Sequence, residues 1–385
     1  MTRIFRGAQT RPLTSLLGLL VILGGLLFYA ARLSAQDSPK FVINDDCQVF
    51  DIASNNSIVY AVPHLKRIRR LVLERDDVSV AVPPGKIRRI VDADRFLPPT
   101  PPSGYVVNSL SWSPDGRRIA VSMTLQQAPA GFTMDKKEAK KRGNMDDNEE
   151  NTPVMPRGGG KAIALLEDDG REIKVANSKT RFIEGGVDAT WLADGKTAVY
   201  LTGGPPWAIS RVQPEDGKTS VLFEGHKFDA VVWDAKRNQA FAIGDLSLRG
   251  QQTLVKLDLL HEFVTEIANV KNYQGSLTVS PSGDRVGFFE DGDTVEVINV
   301  SHPDQTLQMR VGYGRFGWGR EEQHILLKRG PEERSNILLW VGLHDGTFKS
   351  VLHGLVFHDF EIAPDGGTLA VTDPGRRVLK VYPLE

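Results

Sequence analysis

Apolar and polar positions along this chain repeat one pattern. The clearest copy reads Ser109-Leu110-Ser111-Trp112-Ser113-Pro114-Asp115-Gly116-Arg117-Arg118-Ile119-Ala120-Val121: a polar approach, a short strand ending in Trp, a turn, then a second apolar strand. Another runs from Asp188 to Tyr200, with Trp191 followed by Leu192-Ala193-Asp194-Gly195. Further copies centre on Trp233, on Val279 with Ser280-Pro281-Ser282-Gly283, on Trp318, and on Ile362 with Ala363-Pro364-Asp365-Gly366. A weaker first copy centres on Phe50, with Asn55-Asn56 at its turn. Asp-Gly tolerates positive φ and a preceding Pro fixes the approach, so each turn predicts a tight hairpin. A second hairpin follows: Lys161–Leu166 turns at Asp168-Asp169-Gly170 into Glu172–Val175, and Ile337–Val341 turns at Asp345-Gly346 into Phe348–Val351.

Two hairpins per copy make four antiparallel strands, and the last four anchor-to-anchor intervals match the ~40–50 residues of a propeller blade. The sequence therefore predicts an all-β, seven-bladed β-propeller of four-stranded antiparallel blades over residues 40–385. The last copy stops after a third strand, Val378-Leu379-Lys380-Val381-Tyr382, and Lys40-Phe41-Val42-Ile43 is the candidate fourth. Pairing the two would seal the ring and remove its open sheet edges. The interval from Phe50 to Trp112 is long, and its excess is assigned to loops around residues 65–76 and 96–104. The interval from Trp112 to Trp191 holds a polar insertion, about 125–160, with a basic-rich block at Asp135–Arg142 and an acidic one at Asp146–Glu150. Few large apolar residues are available there to offset ordering entropy, so a disordered loop between the second and third strands of one blade is expected.

With Trp112-Ser113-Pro114-Asp115-Gly116-Arg117 in view, the repeat resembles the TolB-like (PD40/WD40-like) β-propeller family. The match is good at Trp191, Val279 and Ile362. It is poor at Trp233, where Asp234-Ala235-Lys236-Arg237 lacks the Gly, and at Trp318, where Arg320-Glu321-Glu322 replaces the turn. The resemblance implies a rigid platform for protein or ligand contacts in the cell envelope.

The amino terminus changes the setting. Arg3, Arg6 and Arg11 precede an uncharged run from Pro12 to Ala31. As a helix such a run spans ~30 Å, the thickness of a bilayer core. Residues 1–36 are read as an N-terminal hydrophobic helix, either a retained signal anchor or a signal peptide cut after Ala35. Either way the propeller is expected outside the cytoplasm, periplasmic or extracellular, membrane-anchored or secreted.

Charge and chemistry narrow the function. Lys and Arg total 47 against 48 Asp and Glu, so there is no basic excess to suggest nucleic acid. Cys47 is the single cysteine, which excludes a disulfide scaffold, and it reads as a small buried hydrophobe. Gly158-Gly159-Gly160-Lys161 lacks the spacing of a phosphate loop. The positions three or four before each anchor hold Asp46, Asn108, Asp188, Asp229, Arg315, His358 and Asp359. They mark the start of the innermost strand beside the central channel, and Asp188, Asp229, His358 and Asp359 form the candidate ligand site there. The expected function is a non-enzymatic, monomeric envelope propeller that binds a protein or ligand, with no catalytic residue, metal or cofactor assigned. The alternative is a metal-dependent, lactonase-like hydrolase with an ion at the channel mouth.

Overall fold

A strand buried on both faces needs no polar alternation, and the second strand of each repeat has none. In the computed structural model these runs are sandwiched between neighbouring sheets. The structure describes residues 39–384 apart from 69–70, 84–85, 90–102, 128–156, 177–181, 203–206, 247–249, 313, 330–337, 352–356 and 374–376. The hydrophobic run at 12–31, most of the polar insertion and most of the region 96–104 lie outside the described residues. Among the described residues no helix is long and apolar enough to cross a membrane. The chain divides into two units, and the propeller fills the second, Lys40–Glu385.

Strand β1 (Phe41–Ile43) is followed by the first blade: β2 (Val49–Ile52), β3 (Ile58–Val62), a hairpin of β4 (Leu65–Ile68) and β5 (Leu71–Glu74), then β6 (Asp77–Val82) and β7 (Lys86–Arg89). Its sheet order is β2-β3-β6-β7, with the hairpin outside it. The second blade holds β8 (Ser103–Trp112), β9 (Arg118–Gln127), β10 (Arg157–Asp168), β11 (Ile173–Val175) and a short extra strand, β12 (Phe182–Glu184), on β10. The third holds β13 (Gly186–Trp191), β14 (Ala198–Thr202), β15 (Trp207–Gln213) and the first half of β16 (Lys218–Asp234). The second half of β16 is the inner strand of the fourth blade, with β17 (Gln239–Asp245), β18 (Gln252–Asp258) and β19 (Phe263–Val270). The fifth holds β20 (Thr278–Val279), β21 (Arg285–Glu290), β22 (Thr294–Asn299) and β23 (Thr306–Arg310). The sixth holds β24 (Gly314–Trp318), β25 (His324–Arg329), β26 (Leu338–Gly342) and β27 (Phe348–Ser350). The seventh holds β28 (Phe360–Ile362), β29 (Thr368–Asp373) and β30 (Val378–Pro383).

The ring closes as the sequence predicts. Strand β1 adds to β30 as the fourth strand of the last blade, with Phe41 opposite Val381 and Ile43 opposite Leu379. Every residue of β29 is buried, whereas the outer strand β19 is mostly exposed or half-buried. That gradient explains the continuous apolar runs of second strands and the polar outer ones. Among the described residues the buried apolar side chains form seven clusters, and each spans the junction of two adjacent blades. One of them joins Ile43, Leu379 and Val381 of the last blade to Ile52, Ile58 and Tyr60 of the first. A blade alone leaves both faces bare; only neighbours on each side bury them.

Residues 65–74 are not a loop as expected but the hairpin β4–β5. The segment tucks Leu73 out of water (0% exposed), and Gln126 of β9 accepts from the main-chain N–H of Glu74 at 2.9 Å. Strands β9 and β10 are long and reach Gln127 and Arg157, so both margins of the insertion, 125–127 and 157–160, are strand.

The turn motif has a structural reason. The Ser113 hydroxyl accepts from the Arg118 N–H at 2.8 Å, and the Gly116 N–H donates to the Ser113 carbonyl at 2.8 Å. Consecutive turns also abut around the ring. Ser54 Oγ donates to the Pro114 carbonyl (3.2 Å), Ala193 N–H to Asn238 Oδ1 (2.8 Å), Arg237 to the Pro281 carbonyl (3.0 Å), and Ser282 Oγ to Glu322 (2.8 Å). The basic residue after the turn serves the next blade too: the Arg118 guanidinium lies 5.2 Å from the centre of the Trp191 ring.

Candidate functional site

Each inner strand ends at its turn, and equivalent turns align the strands. Ser113 N–H bonds the carbonyl of Arg118, Leu192 that of Thr197, Ser280 that of Arg285, and Ala363 that of Thr368. In the first blade the matching bond runs from Ala53 N–H to Ser57. The residue equivalent to Trp112 is therefore Ile52, two positions beyond the Phe50 chosen from the sequence. With that register, one station before the anchor is occupied around the ring by Asp51, Ser111, Thr190, Val232, Thr278, Gly317 and Glu361. Ser111 and Thr190 share a hydroxyl–hydroxyl hydrogen bond of 2.9 Å, joining neighbouring blades at this station.

Two of the seven are carboxylates, and they face each other across the seam where the ring closes. Asp51 accepts main-chain N–H groups from Ile52 (2.8 Å) and Trp112 (2.7 Å). Burial, and then the Glu361 charge, push its carboxyl up to about 7, although the two N–H donors oppose the shift. Glu361 is also raised, by burial first; Arg315 opposes this and Asp359 adds to it. Arg315 donates to Asp359 at 2.5 Å and to Glu361 at 2.7 Å, and sits 5.6 Å from the Phe360 ring centre. Burial alone would lower its pKa, but the two carboxylates outweigh burial and hold the guanidinium above its ordinary value.

These groups line a cavity of about 340 Å³ at the turn end of the channel. Asp51, Arg315 and Glu361 belong to its wall, with Trp112, Trp233, Trp318, Phe316 and Phe360 supplying aromatic surface. Hydroxyls of Ser54, Ser111, Ser113, Thr278 and Ser280 stud the rest.

None of the four residues singled out in the sequence lines this cavity. Asp188 is a bridge, accepting from Ser109 Oγ and from Trp233 Nε1, each at 2.9 Å, and so joining three blades. Asp229 is exposed and accepts from Gln252 at 2.8 Å. His358 is exposed, and its carbonyl accepts from Lys328. Asp359 alone joins the charged group, through Arg315. Of the other strand-start positions, Asn108 bonds Thr124 (2.9 Å) and Asp46 lies 3.8 Å from Arg377. Among the described residues no three His, Cys, Asp or Glu side chains stand close enough to hold a metal ion. Cys47 is buried, with its thiol pushed far up by burial and by Asp45 and Asp46.

Sequence reasoning missed Asp51 and Glu361. The available signal was a carboxylate at the position before the anchor, where other copies carry Ser, Thr, Val or Gly. The two-residue offset in the first copy hid it.

No family model matches the chain, and no curated protein matches it. Solved structures do. A chain of the mitotic checkpoint complex is 12% identical with a TM-score of 0.57, covering 100% of this chain and 99% of that one. The β-propeller domain of Cps50 (Swd1) from Myceliophteria thermophila is 11% identical with a TM-score of 0.54, over 89% of this chain and 99% of its own. At such identities the likeness shows the fold, a seven-bladed β-propeller. TolB from Acinetobacter baumannii also matches, at 12% identity with a TM-score of 0.41, over 74% of this chain and 80% of its own. The turn motif stands as a resemblance to the TolB-like family.

Proposed function

We propose that this chain is a non-enzymatic binding platform of the cell envelope, carried across a membrane by its N-terminal segment, with a protein partner seated at the turn end of the channel. The supporting observation is the cavity there: about 340 Å³, aromatic-walled, with a few convergent polar groups, and framed by turns that brace one another around the ring. Rigid framing suits recognition, because little ordering entropy is left to lose on binding. The mitotic checkpoint complex is an assembly, and a propeller within one is the setting this reading extends to the present chain.

Photo-reactive side chains placed at Ser54 or Pro281, on the rim, are expected to cross-link a protein in native membranes. The same group at Ile87, exposed on the outer strand β7, is expected not to. Equal labelling at all three sites, or none at the rim, would overturn the docking site. A reporter active only outside the cytoplasm, fused after Glu385, is expected to work; an inactive fusion rejects the envelope location. Divalent ions are expected to leave the melting temperature unchanged, and a large stabilisation would select the hydrolase instead.

A further inference from the structure

The charges of the cavity wall do not balance where they stand. Asp234 is held by Arg237 (3.1 Å) and Gln239 (2.7 Å), and Glu361 by Arg315 (2.7 Å). Asp51 accepts two main-chain N–H groups but has no cationic partner among the described residues. Its charged neighbour is Glu361 from β28, which repels it, and Arg315 is spent on Glu361 and Asp359. Strand β8 brings Ser111 and Trp112 against it, neither of them charged. Lys236, the remaining cation of the wall, is exposed on the fourth blade, three blades away around the ring.

A desolvated carboxylate without a counter-charge is costly unless a proton or a cation answers it. The surrounding aromatic rings favour an organic cation, whose charge they attract through the ring faces.

We propose that the cavity receives one basic side chain, arginine or lysine, from the partner protein, with Asp51 as its counter-ion and the tryptophan and phenylalanine rings packed along its stem. This rests on the platform reading and names the chemistry of the partner. Glu361 and Arg315 then act as a fixed pair that shapes the pocket while leaving Asp51 as the open acceptor. The Asp51 carboxyl, pushed up to about 7, makes occupancy proton-linked: protonation removes the charge that holds the guest.

The test uses the full chain and two probes in titration calorimetry: N-acetyl-arginine methylamide, and its citrulline analogue, which is neutral and nearly the same shape. At pH 8 the arginine probe is expected to bind at least tenfold more tightly than the citrulline one. Between pH 8 and pH 6 its affinity is expected to fall about tenfold, following the ionised fraction of a group titrating near 7. Asp51→Asn is expected to abolish both the preference and the pH dependence. Equal binding of the two probes, no binding of either at pH 8, or a pH-independent affinity overturns the proposal. The pH series on the unaltered protein decides if Asp51→Asn fails to fold. Rim cross-linking that persists while the arginine probe fails would sink this inference and leave the platform standing. Arginine-selective binding without any rim cross-link would keep the pocket's selectivity and remove the partner.

Discussion

Deleting residues 377–385 removes β30, the strand through which the first and last parts of the chain are joined. Leu379, Val381 and Tyr382 are 0%, 1% and 4% exposed, so three nearly complete side-chain burials disappear. The loss also strips β1 of its partner strand, and Ile43, 1% exposed, loses its cover. At about 1.5–3 kcal/mol per large apolar side chain, the four together are worth about 6–12 kcal/mol. The whole stability of a typical domain is about 5–15 kcal/mol. Two sheet edges, on β29 and β1, would open in addition. The truncated chain is therefore expected to lose its cooperative transition, read by near-ultraviolet circular dichroism and calorimetry on heating. Leu379→Ala, a milder form, is expected to cost about 2–5 kcal/mol in urea unfolding. A truncated protein that melts with the parent's temperature and cooperativity would refute closure through β1 and β30.

Gly366 has φ +69°, and a Cβ there would lie 2.4 Å from the Arg320 Cα, so Gly366→Ala is expected to destabilise by about 1–3 kcal/mol. A urea midpoint equal to the parent's would show that the turns do not abut. Trp233→Phe deletes the indole donor to Asp188 and leaves that carboxylate with Ser109 alone, at an expected cost of about 1–3 kcal/mol; restored stability in a Trp233→Phe, Asp188→Ala double variant would confirm that the cost is a stranded acceptor, and an undiminished loss would deny it. Asp51 is raised from its ordinary value of 3.8 to about 7, so the folded state holds a proton the unfolded chain releases. Stability from this group is then greatest below pH 3.8 and declines as pH rises toward 7, and Asp51→Asn is expected to flatten that part of the pH–stability curve; an unchanged slope would contradict it. Replacing residues 128–156 with a short Gly-Ser linker is expected to leave the melting temperature within a few degrees, since closure cost grows only slowly with loop length; loss of folding would show that the insertion supports the blades.

The sequence by itself determined the blade count, the hairpin order and the closing strand. Those features are local or periodic: Pro-Asp-Gly turns, apolar second strands and a missing fourth strand at one end with a spare at the other. Six of the seven anchors read from it fall at the same station of an inner strand. The first did not, because Val49-Phe50-Asp51-Ile52 offers two apolar candidates on the same strand face, and only the hydrogen bond from Ala53 to Ser57 chooses Ile52. The hairpin at 65–74 was likewise hidden, since its strands pair with each other outside the blade and obey no repeat. The site was decided by tertiary structure alone. Asp51 and Glu361 lie far apart in the chain and meet only because the ring closes between the seventh and first blades. Asp188 and Asp359 looked alike as strand-start acids, yet one ties three blades and the other pairs with Arg315. A pattern along one strand tells which residues face inward; which charges then stand together, and which is left without a partner, depends on the neighbours that seven separate strands bring to one axis.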